Sequence, residues 1–170
     1  MQKKMGYCLL LAVLFATRPM AQTQLKMLLQ FKGYWETKSA TLRTDGKEYK
    51  FAYSADFRAT ADNNGLTMIE KADIPGIGKL NGANLIGINA DDGKVHWSSV
   101  DNLGTAHEHI GNFTDSKHFS MIYKGVQNGK EYMEKISVEF MDNGGMALRE
   151  EVLIDGKEQF LITGVFHRIK

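Results

Sequence analysis

The chain has one cysteine, Cys8, in 170 residues. It sits inside an N-terminal apolar run, Cys8 to Ala16, that follows Lys3 and Lys4. That run is too short to span a bilayer as a helix. A charged start, a short apolar stretch and a small residue at Ala21 are the marks of a secretory signal peptide. Residues 1–21 are therefore expected to be cleaved, leaving an exported chain of one domain, 22–170, in the periplasm or outside the cell. Cys8 would leave with the signal, so the mature protein would have no disulfide, no thiol nucleophile and no thiolate ligand.

An excess of charge of either sign is also missing. The sequence holds 21 basic and 20 acidic residues. Removing Lys3, Lys4 and Arg18 leaves 18 basic against 20 acidic, a formal charge of −2. This gives no electrostatic footprint for nucleic acid. No second apolar run approaches membrane-spanning length, so the mature chain is expected to have no membrane span. Catalytic motifs are absent too. There is no Gly-x-Ser-x-Gly elbow. Gly76, Gly78 and Gly82 lack the strand–loop–helix setting of a phosphate loop. Glu150 and Glu151 are adjacent on a strand, so their carboxylates point to opposite faces. These absences weigh against an enzyme.

Turn signals, by contrast, are abundant: Asp45-Gly46, Asn64-Gly65, Asp92-Gly93, Asn128-Gly129, Asn143-Gly144 and Asp155-Gly156. Such pairs suit tight hairpins, because a type I′ turn needs φ > 0 at both central residues. Strand-like runs separate them. In Glu48–Ala59, Tyr49, Phe51, Tyr53, Ala55, Phe57 and Ala59 share one face, and Lys50, Ser54, Asp56 and Arg58 lie on the other. About ten strands follow one short amphipathic stretch, Gln22–Phe31, that is expected to be helical. An antiparallel meander with one apolar face hides its edges by closing on itself. The predicted fold is all-β: an up-and-down meander closed into a barrel, with a short N-terminal helix.

Gly33-Tyr34-Trp35 opens the first long strand and resembles the Gly-x-Trp signature of the lipocalin-like (calycin) barrels. In those proteins the Trp closes one end and packs under a basic residue of the last strand; here that residue would be Arg168. The stretch His96-Trp97-Ser98-Ser99-Val100-Asp101-Asn102-Leu103-Gly104-Thr105, with Gly111-Asn112-Phe113-Thr114-Asp115 after it, is similar to a family of exported lipocalin-like domains of unknown function. The resemblance implies a fold and no settled activity. His107 and His109 depart from it, since apolar residues are expected there.

Two chemistries remain open. Tyr49, Phe51, Tyr53, Phe57, Phe119, Met121, Tyr123, Ile136, Val138 and Phe140 form the apolar faces of three strands. A barrel of this size holds either packed side chains or one small ligand. Tyrosines need partners for their hydroxyls when buried, which favours a pocket for a small apolar or amphipathic molecule. His107 and His109 would help orient it. Alternatively, His96, His107 and His109 would converge across the Asp101–Gly104 turn if the hairpin paired residues summing to 203 or 205. Three imidazoles would then bind zinc, or one would ligate haem. A third use, a barrel presenting an exposed apolar patch to a partner, predicts no cavity.

Overall fold

The structure, a computed structural model, describes residues 21–169. The expected signal peptide lies outside these residues except for Ala21. An α-helix, α1, covers 21–28 and tightens into a 3-10 turn at Leu29–Phe31. Ten strands follow: β1 (Gly33–Thr44), β2 (Lys47–Thr60), β3 (Gly65–Ile74), β4 (Gly78–Ile88) and β5 (Val95–Asp101), then β6 (Ala106–Phe113), β7 (His118–Gln127), β8 (Lys130–Phe140), β9 (Gly145–Ile154) and β10 (Lys157–Ile169). Each pairs antiparallel with its sequence neighbours, and β1 pairs with β10, so the sheet is a closed barrel. The predicted meander and helix are both present.

The turns are less uniform than their sequences suggest. Asp45-Gly46, Asn128-Gly129 and Asp155-Gly156 have positive φ at both residues, as type I′ turns require. Only Gly93 and Gly144 do so in their pairs. At Asn64-Gly65 the positive φ values move upstream to Ala61, Asp62 and Asn63, and Gly65 already belongs to β3. The type I′ turns all lie at one end of the barrel. The longer connections β2–β3, β4–β5, β6–β7 and β8–β9 lie at the other, beside the helix.

That helical end is plugged. Leu28 and Phe31 are almost fully buried, and Gln24 fixes the helix by exchanging hydrogen bonds with the backbone of Phe113 at 2.9 and 3.0 Å. The Phe31 ring meets Phe57, Trp97, Phe113, Phe119 and Phe140, with centroids 4.9–6.1 Å away. The Trp35 indole donates to the Phe31 carbonyl at 2.6 Å. The Arg168 guanidinium lies 4.5 Å from the Trp35 ring centroid, while its Nη2 donates to the Gln30 carbonyl. Such a cation–π contact is worth about 0.5–2 kcal/mol. Gly33 has φ +127°, and a Cβ there would stand 3.3 Å from the Arg168 side chain. Glycine is thus required by the backbone, and it also leaves room for the close approach of Arg168.

Because Phe31 is the hub of this plug, Phe31→Ala is expected to cost about 3–5 kcal/mol. Urea melts of the variant and the parent protein measure it.

Candidate functional site

Alternate residues of every strand face inward, and above the aromatic plug they do not fill the barrel. A cavity of about 390 Å³ remains. Its lower wall carries Phe31, Phe57 and Trp97, and its mouth carries Ile77 and Leu103. Both mouth residues are largely exposed, at 45% and 46%. Met68, Met121, Ile136, Val138, Leu148 and Phe166 supply further apolar surface.

Between plug and mouth runs a polar belt. Tyr53 donates to Glu70 Oε2, and Asn84 Nδ2 donates to Glu70 Oε1 at 3.0 Å. The Asn84 carbonyl oxygen then accepts from Trp97 Nε1 at 2.9 Å and Ser99 Oγ at 2.5 Å. Across the barrel, Tyr132 donates to Glu134 Oε2 at 3.1 Å. His107 Nε2 and His109 Nε2 each lie 3.4 Å from one oxygen of that same carboxylate. The Tyr123 ring stacks on His107 with centroids 4.0 Å apart and planes 10° off parallel. Glu150 faces the cavity from β9. The phenols of Tyr53 and Tyr132 thus find their partners in glutamates. Gly82 gives Glu70 its room, because a Cβ there would come within 2.6 Å of the Glu70 Cγ.

Burial is the largest influence on the pKa values of this belt. It pushes Glu150 well above the usual carboxylate range, and the neighbouring Glu134 and Glu70 push the same way. It also raises Glu70, although the hydrogen bonds from Tyr53 and Asn84 oppose it. Burial and nearby carboxylates raise both Tyr53 and Tyr132. For His107 burial lowers the pKa, helped by His109 and opposed by Glu134. Both ring nitrogens of His109, a residue only 2% exposed, are buried without a hydrogen-bond partner among the described residues.

The expected site residues fall into three groups. Tyr53, Phe57, His107, His109 and Met121 line the cavity. Phe119 is packed inside the plug, Tyr123 lies behind His107, and Phe51 and Tyr49 belong to a second apolar cluster with Ala40, Leu42 and Ile162. His96 does not join His107 and His109. The β5–β6 register pairs Trp97 with His109 and Ser99 with His107, so paired residues sum to 206 rather than 203 or 205. The Asp101 carboxylate sets this register by accepting from the backbone N–H groups of Leu103 and Thr105, with Gly104 at φ +100° completing the turn. A shift of one residue moves a strand's whole set of side chains to the other face. His96 therefore points outward, between Asp92 and Glu108 at 3.2 and 3.1 Å. Burial works against its charged form, but those two carboxylates outweigh it and raise its pKa. His118 is exposed beside Asp115.

Glu70, Glu134 and Asn84 carry no motif in the sequence, and Glu150 enters there only as half of a rejected carboxylate pair with Glu151. The signal was the strand period. Tyr132 and Glu134 share the phase of Ile136, Val138 and Phe140, and Glu150 shares that of Met146 and Leu148. A glutamate in the apolar phase of a strand is the mark of an interior carboxyl.

The fold is similar to that of Rv2717c from M. tuberculosis, at a TM-score of 0.65 and 14% sequence identity, over 86% of this chain and 98% of that one. No family model matches the chain, and no curated protein does. What these comparisons establish is the barrel. They do not extend to the calycin superfamily or to the exported family that the motifs resemble.

Glu150 sets a pH signature. A carboxyl whose folded pKa is raised stabilises the fold below the ordinary carboxylate range, and that contribution is lost as pH rises through the folded pKa. His107, with a lowered pKa, acts oppositely: its contribution is present above the ordinary imidazole value and lost as pH falls. Glu150→Gln removes the first effect alone. The variant should gain a few degrees in Tm over the parent protein at pH 8, and the gain should vanish near pH 4. Paired thermal melts across that range check it; a gain that is the same at every pH would contradict the assignment.

Proposed function

We propose that this protein is an exported binding barrel that holds a small, largely apolar molecule non-covalently inside the cavity. The observation that carries this reading is the cavity itself: about 390 Å³, mostly apolar in its walls, with a few convergent polar groups. Pockets for small ligands have this composition, with polar groups placed to orient the ligand. Burial of ligand surface against the methionines and aromatic rings would supply affinity at about 25 cal/mol per Å² of apolar area.

The belt also constrains the ligand's polar end. Glu70, Asp101, Glu134 and Glu150 line the cavity, and no lysine or arginine is among its lining residues. A buried anion would find carboxyls and no permanent cation to pair with, at a cost of several kcal/mol. A neutral or cationic group would find hydrogen-bond acceptors, two imidazoles and, at Glu150, a carboxyl whose pKa burial raises. The ligand is therefore a neutral or basic amphiphile rather than a fatty acid.

Trp97 lies on the cavity wall and reports occupancy through its fluorescence. A neutral apolar dye and a long-chain amine should quench it at micromolar concentration, and a carboxylic acid of the same chain length should bind at least about tenfold more weakly. Ile136→Trp, which projects a larger ring into the cavity, should weaken binding of all three. Equal affinity for acid and amine would refute the charge argument. No binding by any of the three would refute the reading as a whole.

A further inference from the structure

We infer that His107, His109 and Glu134 form a binding site for a divalent transition-metal ion of the zinc class, open towards the cavity. The inference goes beyond the binding reading, and either can fail alone.

The three residues come from two strands. His107 and His109 are two apart on β6, so their imidazoles share one face. Glu134 lies on β8, with β7 between them. Their donor atoms all lie within 4.8 Å of one another. Two histidines and one carboxylate with positions left open are a known donor set for zinc and for other first-row ions.

The distances favour an ion over a direct hydrogen bond. Both imidazole-to-carboxylate separations are 3.4 Å. A charge-assisted hydrogen bond would be about 2.7–2.9 Å long. Donor atoms about 2.0–2.2 Å from one tetrahedral ion stand roughly 3.3–3.6 Å apart. The carboxylate is thus too far away to satisfy either ring, while each imidazole faces its own Glu134 oxygen, His107 towards Oε2 and His109 towards Oε1, at the separation of two ligands of one ion.

His109 supplies the independent observation. Its ring is buried, faces Glu134, and has no hydrogen-bond partner on either nitrogen among the described residues. A buried donor or acceptor left unpaired destabilises the fold. An ion at Nε2 would satisfy that nitrogen.

The surroundings hold the donors in place. The hydroxyl of Tyr132 fixes one Glu134 oxygen, and the Tyr123 ring covers the face of His107. Outer partners of this kind set ligand orientation and typically contribute 10–100-fold to metal affinity. His96, facing outward with its own carboxylates, has no part in the site.

Untagged protein titrated with zinc chloride in a calorimeter tests the inference. One zinc ion per chain is expected. His107→Ala and Glu134→Gln should each weaken it on the order of 100-fold or more, and Tyr132→Phe about tenfold. His96→Ala should leave it unchanged. His109→Ala exposes a packed site and is informative only if its circular dichroism matches the parent; the other variants do not depend on it. Absence of saturable zinc binding overturns the inference, as does binding that survives both His107→Ala and Glu134→Gln or that is lost in His96→Ala. The quenching of Trp97 by an apolar dye, measured on the same metal-free samples, reports separately on the cavity.

Discussion

Every side chain in the cavity is placed by one constraint: β1 must meet β10. A ten-strand meander left open would expose two edges and an apolar face. Closed, it has neither, and each strand then has an inside and an outside that alternate without exception apart from the bulges. The N-terminal helix follows from the same closure. A barrel has two open ends, and the helical segment before β1, α1 with its 3-10 turn, is drawn into the nearer one by Leu28 and Phe31. Trp35, bonded to the Phe31 carbonyl and covered by Arg168, ties the first and last strands to that plug. Closure, plug and seam are one connected piece of structure.

The other end of the barrel is governed by polar groups that work against stability. Glu70, Glu134 and Glu150 are held inside the barrel, and no lysine or arginine among the described residues lines the cavity to compensate them. A merely packed barrel would carry leucine or valine at these positions. Part of the cost is offset locally: Tyr53 and Asn84 satisfy Glu70, and Tyr132 satisfies one oxygen of Glu134. Part is not offset, as Glu150 and His109 show. Groups held at a cost to folding are where proteins place binding. The belt is therefore evidence for function of a kind that the apolar walls alone do not provide.

The fold was readable in the sequence because its determinants are local. Turn residues and a two-residue period act within a few positions, and six of the nine connections between strands carry one of the Asn-Gly or Asp-Gly pairs. The site was readable only in part, because it depends on register, which is a relation between strands. His107 and His109 share a face whatever the pairing, and they do lie together. His96 required a particular pairing across the Asp101 turn, and the carboxylate of Asp101, bonded to the N–H groups of Leu103 and Thr105, fixed the alternative. Glu134 stands two strands away from His107 in the order of the sheet and 25 or more residues away in sequence. No spacing rule connects them. Only closure of the barrel, with β7 bridging β6 and β8, brings that carboxylate to the imidazoles.

This geometry also explains why the polar belt sits where it does. The aromatic plug excludes water from below, and Ile77 and Leu103 narrow the mouth above. Electrostatic interactions between the two are weakly screened, so a single misplaced charge is costly and a complementary one is strongly held. An ion at His107, His109 and Glu134 would offset the charge of the most buried of these carboxylates, and a neutral or basic ligand head would leave the remainder undisturbed. An anionic ligand would do neither unless it bound to the ion itself. The charge preference of the cavity and the occupancy of the metal site are thus physically linked: the first is set by carboxyls alone only while the second is empty.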